Sequence, residues 1–228
     1  MNNLLFNLWQ ITDSNFPSGA FSHSFGMETY IQEGVVTNTK SFSYAIQQFI
    51  ATQFIYIDGL ACRMAFEAIK NKSDDSIWEI DRELYALTNA KEVREGNRRI
   101  GRQLLKVMSQ IYGFKLLNNY QIKIEKKAAY GHSSIVFAIV CEGLKANLDI
   151  TLSTYLFSTV TTIVQNGVRG IPIGQTDGQK IIRTLHPFLT NQVEKILSLS
   201  EQDFGGTAPG LEIAQMMHES LSVRLFMS

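Results

Sequence analysis

Four histidines, His23, His132, His186 and His218, and a handful of serines are the side chains of this chain best suited to chemistry. Their spacing decides what chemistry is open to them. A nucleophilic serine on a sharp strand-to-helix turn needs a glycine two residues to either side. Ser18, Ser22 and Ser133 all lack that frame. A zinc protease needs two histidines four apart on one helix face, with a glutamate beside the first. His218-Glu219 begins that pattern, but Ser222 stands where the second histidine belongs. A nucleotide-binding loop needs a lysine followed by serine or threonine. Gly174-Gln175-Thr176-Asp177-Gly178-Gln179-Lys180 has the wrong spacing, and Ile181 follows its lysine. No histidine is paired with another histidine or a cysteine at ligand spacing, so a local metal site has no support. These patterns predict a chain without catalytic residues, bound cofactor or resident metal. The alternative is a helical metal-binding or hydrolytic protein in which folding gathers His23, His132 and His218.

The segment from Phe16 to Tyr30, FPSGAFSHSFGMETY, holds two glycines, a proline, three serines, a histidine and three phenylalanines. Pro17 fixes one torsion and Gly19 relaxes another, so the segment reads as a shaped lead into a helix. On that helix Ala20, His23, Met27, Tyr30 and Ile31 share a face, which makes His23 a core residue. His218 repeats the situation. Leu211, Ala214, His218, Leu221 and Leu225 are spaced as a short coiled-coil-like seam. Thr207-Ala208-Pro209 caps that last helix, with proline in its first turn. Lys91, Arg94, Arg98 and Arg102 form a basic stripe on another helix. It is either a solvated face, with Glu95 spaced to pair with Arg98 and Arg99, or a contact for an acidic partner. Gly96 and Gly101 in that helix cost about 1 kcal/mol each relative to alanine. Another backbone is therefore expected close by, within the domain or across an interface.

The elements that position these residues are helical almost throughout. Leu4, Leu5, Leu8 and Ile11 mark a first helix ending before Asp13. A long stripe runs from Ser41 to Ile69, with a kink expected at Asp58-Gly59. Ser73 with Asp74 and Asp75 opens a helix through Leu87. Others are predicted over Lys91–Tyr112, Gly131–Gly143, Leu148–Val168 and Gln179–Leu199, the last with a bend at Pro187. Gln121–Lys127 alternates like a strand, but no partner strand is in sight, so a loop or helix start is preferred. Gly205-Gly206 reads as a hinge. The prediction is an all-α, single-domain helical bundle, with a body over residues 1–204 and a hinged, partner-docking C-terminal helix over 205–228.

Composition narrows the function. The 228 residues are 45% hydrophobic, enough for a sizeable core. Lysine plus arginine equals aspartate plus glutamate at 21 each, which argues against a nucleic-acid binder and favours association with other chains. Cys62 and Cys141 form no disulfide framework and read as buried thiols in a reducing cytoplasm. The N-terminus lacks a signal peptide's basic start, and no uninterrupted apolar run reaches the ~18 residues of a membrane span.

Five ordered blocks resemble the urease accessory protein UreF family. They are Asp13–Gly19 continued by Glu28-Thr29-Tyr30; Glu92-Val93-Arg94 with Asn97–Gly101; Tyr130–Ser133 with Val136-Phe137-Ala138; Gln165-Asn166 to Arg169 with Ile171–Gln179; and His218–Leu221 with Arg224–Ser228. Phe21 and Phe226 stand where some members carry tyrosine. The resemblance implies an all-helical homodimer that assembles with UreD, called UreH in some members, and with the GTPase UreG. That assembly delivers nickel to apo-urease, and this chain would bridge UreD and UreG without chemistry of its own. Read with the patterns above, three partner-binding regions are expected. Ser18, Phe21, His23, Ser24 and Glu28 form a contact or support surface. Arg169, Gln175, Asp177 and Gln179 touch the GTPase or order the loop that does. Leu211, His218, Leu221, Arg224, Leu225 and Phe226 dock UreD.

Overall fold

A computed structural model describes residues 2–206 and 208–228. Thr207, expected to share the cap of the last helix, lies outside the described residues. The elements in chain order are α1 (Asn2–Thr12), a 3₁₀ turn (Ala20–Ser22), α2 (Met27–Gln32), α3 (Thr39–Phe49), a π-helical stretch (Ile50–Gly59), α4 (Leu60–Lys70) and α5 (Asp74–Leu87). They continue as α6 (Lys91–Tyr112), α7 (Lys115–Glu125), α8 (Ser133–Gly143), α9 (Leu148–Gly170), α10 (Gln175–Ser198), a 3₁₀ turn (Glu201–Asp203), α11 (Pro209–Met217) and a last 3₁₀ turn (His218–Ser220). Among the described residues there is no strand, and the all-α expectation holds.

The apolar α8 is the centre of the core. Ile135 to Cys141 are all buried, and α4, α6, α7 and α9 pack around the helix. Local chemistry sets the ends of several elements. Asn38 caps α3 in a reciprocal box with Ser41. Gly113 closes α6 in the left-handed region at φ 61°. Asp74 and Asp75 fill the first turn of α5, although the Ser73 hydroxyl bonds Ser76 Oγ at 2.7 Å instead of capping the backbone. Gln121–Glu125 lies inside α7, and α10 begins at Gln175 and runs through Pro187.

Where a kink was expected at Asp58-Gly59, the helix instead widens into a ten-residue π stretch and continues. Together Thr39–Lys70 make a 32-residue helical run, long and apolar enough by composition to cross a membrane. Its apolar window is 67% buried in the fold, which is how a core helix behaves. Cys62 and Cys141 are buried free thiols. Burial pushes the Cys141 thiol up to about 12, so it stays protonated.

Both glycines of α6 are explained within the chain. A Cβ at Gly101 would strike the backbone carbonyl of Gly131, and one at Gly96 would sit 2.7 Å from the His23 ring. Neither is left to argue for a dimer. The Gly205-Gly206 pair is also packed: Cβ atoms there would meet Leu87 and Tyr56, and the Gly205 N–H donates to the Tyr56 carbonyl at 3.1 Å.

Candidate functional site

The expected C-terminal seam is broken by the structure. α11 stops at Met217, a 3₁₀ turn follows, and Leu221 turns the chain into extended backbone at φ −64° and ψ 130°. Leu211 and His218 are buried as the seam required, but Leu221 is only partly covered and Leu225 is 65% exposed. The reason is a competitor for backbone hydrogen bonds. The N–H groups of Leu225 and Phe226 donate to the Glu28 carboxylate, at 2.6 Å on Oε1 and 3.2 Å on Oε2, instead of to a helix.

Glu28 is one wall of a charged lock. The His218 ring is fully buried, with Nε2 2.8 Å from Glu28 Oε2 and Nδ1 2.5 Å from Glu92 Oε2. Arg224 closes the set by donating to Glu92 Oε1 at 2.7 Å. α2 supplies Glu28, α6 supplies Glu92, and the C-terminal segment supplies His218 and Arg224. Burial pushes the Glu92 carboxyl up, but hydrogen bonds from His218 and Arg224 outweigh it and hold the group below its ordinary value.

A second cluster fastens the last residues. The backbone oxygen of Ser228 accepts from the Ser24 N–H at 2.5 Å, the Phe25 N–H at 3.1 Å and Ser24 Oγ at 2.8 Å. Ser228 Oγ is 2.7 Å from His23 Nδ1. The Met227 N–H donates to the Ser22 carbonyl at 2.7 Å, and Gln32 donates to the Val223 carbonyl. Arg169, at the end of α9, donates to the Phe21 carbonyl and, at 3.0 Å, to Asn166 Oδ1, with its guanidinium 5.0 Å above the Phe226 ring. Asn166 in turn donates to the His23 carbonyl at 2.7 Å. The Phe16–Tyr30 segment is thus the receptor for the chain's own C-terminal stretch.

Most of the expected site residues meet here. Phe21, His23, Ser24, Glu28, Arg169, His218, Arg224 and Phe226 belong to the lock, and Leu211 packs beneath it, where a Cβ on Gly26 would lie 3.3 Å from its side chain. Gln175, Asp177 and Gln179 do not join. They lie on the first turns of α10, with Asp177 paired to Lys180 at 3.1 Å. Ser18 lines a cavity of about 400 Å³ behind the segment, together with Phe21, Phe54, Asp58 and Tyr155. Sequence reasoning missed Glu92, Asn166 and Ser228. The basic stripe is largely spent inside the chain: Arg98 pairs with Glu95 at 2.8 Å, and Arg94 and Arg102 bond the carbonyls of Thr88 and Tyr130.

The three histidines are not gathered. His132 has its own neighbourhood, with Nδ1 2.9 Å from Ser134 Oγ and Nε2 3.7 Å from Asp58 Oδ1. Asp81, fully buried, braces that loop by accepting from the Tyr120 hydroxyl at 2.6 Å, from the His132 N–H at 3.0 Å, and from the N–H groups of Tyr130 and Gly131. Burial pushes Asp58 up, against the opposing pull of His132. His218 has both ring nitrogens on carboxylates and His23 has Nδ1 on Ser228, so these rings serve structure.

His23 makes the lock acid-sensitive. Burial first, then Arg99 and His218, hold its pKa down to about 4 from 6.5. Between those values the unfolded chain binds a proton that the folded chain does not, so stability falls as pH drops from 6.5 to about 4. The loss is on the order of 3 kcal/mol. Urea denaturation across that range measures it, and His23→Asn should flatten the slope.

The arrangement defines an all-helical protein whose most polar cluster holds its own C-terminal segment in place. A profile for UreF matches residues 36–186. The chain is 50% identical over 228 residues, covering all of both proteins, to the urease accessory protein UreF of Bacillus sp. (strain TB-90). It is 47% identical over 228 residues, again all of both, to that of Lachnoclostridium phytofermentans. It is 48% identical over 223 residues, 97% of each, to that of Geobacillus kaustophilus. The chain belongs to the UreF family of urease accessory proteins.

Proposed function

We propose that this protein is a cytoplasmic, homodimeric scaffold that bridges UreD and the GTPase UreG during GTP-dependent nickel delivery to apo-urease, with nickel as cargo and no catalysis of its own. One observation carries the reading. The lock consumes the polar groups of the Phe16–Tyr30 segment and, in doing so, sets an apolar row on the surface. Val223, Leu225 and Met227 are 67%, 65% and 50% exposed on backbone that is itself firmly held. Ile213, Met216 and Met217 are likewise exposed on α11. A rigid row of large apolar side chains is what a partner groove recognises, and pre-ordering lowers the cost of binding. UreD is the partner assigned to it. The start of α10, with Gln175, Asp177 and Gln179, is assigned to UreG.

Co-purification with UreD and UreG, with and without GTP, tests the scaffold. Asp177→Ala should weaken UreG capture and leave UreD capture unchanged. Unaltered UreG capture and GTP hydrolysis would remove α10 from the interface. Light scattering at micromolar concentration tests the dimer, and a monomer there counts against it.

A further inference from the structure

We propose that seating the C-terminal segment takes up one proton on His218, so that the segment is released as pH rises above neutrality. A neutral imidazole carries one N–H, and its other nitrogen can only accept. Here both ring nitrogens face carboxylate oxygens, Nδ1 at 2.5 Å from Glu92 and Nε2 at 2.8 Å from Glu28. One proton beyond the neutral ring must therefore sit in the triad. Neither carboxylate is placed to keep it. Glu28 takes backbone N–H donors on both oxygens, from Leu225 and Phe226, and Glu92 takes Arg224 on its other oxygen. The extra proton belongs on the ring, as an imidazolium between two carboxylates, and the ring has no exposure to water.

Around His218, α2 brings Glu28 and α6 brings Glu92, while Arg99, farther along α6, acts on the neighbouring His23. The last turns bring Arg224, and the Phe16–Tyr30 segment brings His23, which burial keeps neutral near pH 7. Two carboxylates touch the ring directly. When the segment lifts off, His218 leaves both carboxylates and enters water, where the ring no longer needs the second proton. Above neutrality each pH unit then weakens seating by up to tenfold, because one proton must be recovered to close the lock.

Two measurements on the full chain test this. Nitrogen-15 NMR of the imidazole should find both nitrogens of His218 protonated at pH 7.5, and a ring with one bare nitrogen would overturn the proposal. Hydrogen exchange over residues 221–228, corrected for the intrinsic pH dependence of amide exchange, should lose up to tenfold protection per unit between pH 7 and 8.5. Flat protection in the unaltered chain would also overturn it. His218→Gln, which hydrogen-bonds without titrating, should remove the slope, and an equal slope in that variant would assign the proton elsewhere.

Discussion

Glu28→Ala is expected to free the last eight residues and to lower stability by about 3–5 kcal/mol, the cost of breaking a buried ion pair from one side. Glu28 is 3% exposed and holds three groups at once: the His218 ring and the N–H donors of Leu225 and Phe226. Alanine leaves all three without an acceptor. Glu92→Ala should cost less, because Glu92 is 22% exposed and water can reach the groups it abandons. Denaturant titration ranks the two. Limited proteolysis should cut Glu28→Ala between Leu221 and Ser228 first. Equal stabilities, or a protected C-terminal segment in Glu28→Ala, would contradict the lock.

Gly101→Ala is expected to cost about 3 kcal/mol although alanine is the better helix former by about 1 kcal/mol. The new Cβ meets the carbonyl of Gly131, a backbone atom that Asp81 holds on either side through Tyr130 and His132. Yielding there breaks hydrogen bonds to a buried carboxylate. Gly210→Ala, in the first turn of α11, is the control. Nothing lies nearer than 3.9 Å to a Cβ at that site, so its effect should stay within about 0.5 kcal/mol. Thermal melts compare them, and a neutral Gly101→Ala would mean that the α6–loop contact is looser than described.

What the sequence revealed and what it hid divide along one line, the range of the interaction. The limits of α6, Lys91–Tyr112, were legible because apolar period and a closing glycine are local signals. So were the buried cysteines and the apolar α8. The π stretch was not, because Ile50–Gly59 carries an ordinary helical pattern and widens only in its packing. The end of α11 was misread for a related reason. A spacing of three and four predicts helix to Leu225, and the pattern is blind to a carboxylate that lies far back in the chain and takes the amides away. His23 and His218 were rightly placed in the interior. Their partners were out of reach: Ser228 is 205 residues from His23, and Glu92 is 126 from His218. Glu92 stood in one of the recognised blocks, two positions before Arg94, but no local signal ties it to His218, whose neighbour in sequence, Glu219, is the nearer acid to the eye.

The lock also dictates how the scaffold reading must be tested. Deleting residues 211–228 would strip the ion partners from Glu28 and Glu92 and uncover the site of Leu211, so lost binding could reflect lost folding. Val223→Asp with Leu225→Asp changes only side chains that point into water. The most direct measurement is the affinity of this double variant for UreD, read beside its melting temperature. Each leucine-sized contact contributes roughly 1.5–3 kcal/mol when buried. The account therefore predicts an unchanged melt and at least a hundredfold weaker capture of UreD. Unchanged capture at full affinity would contradict it, and the C-terminal row would then be surface without a partner.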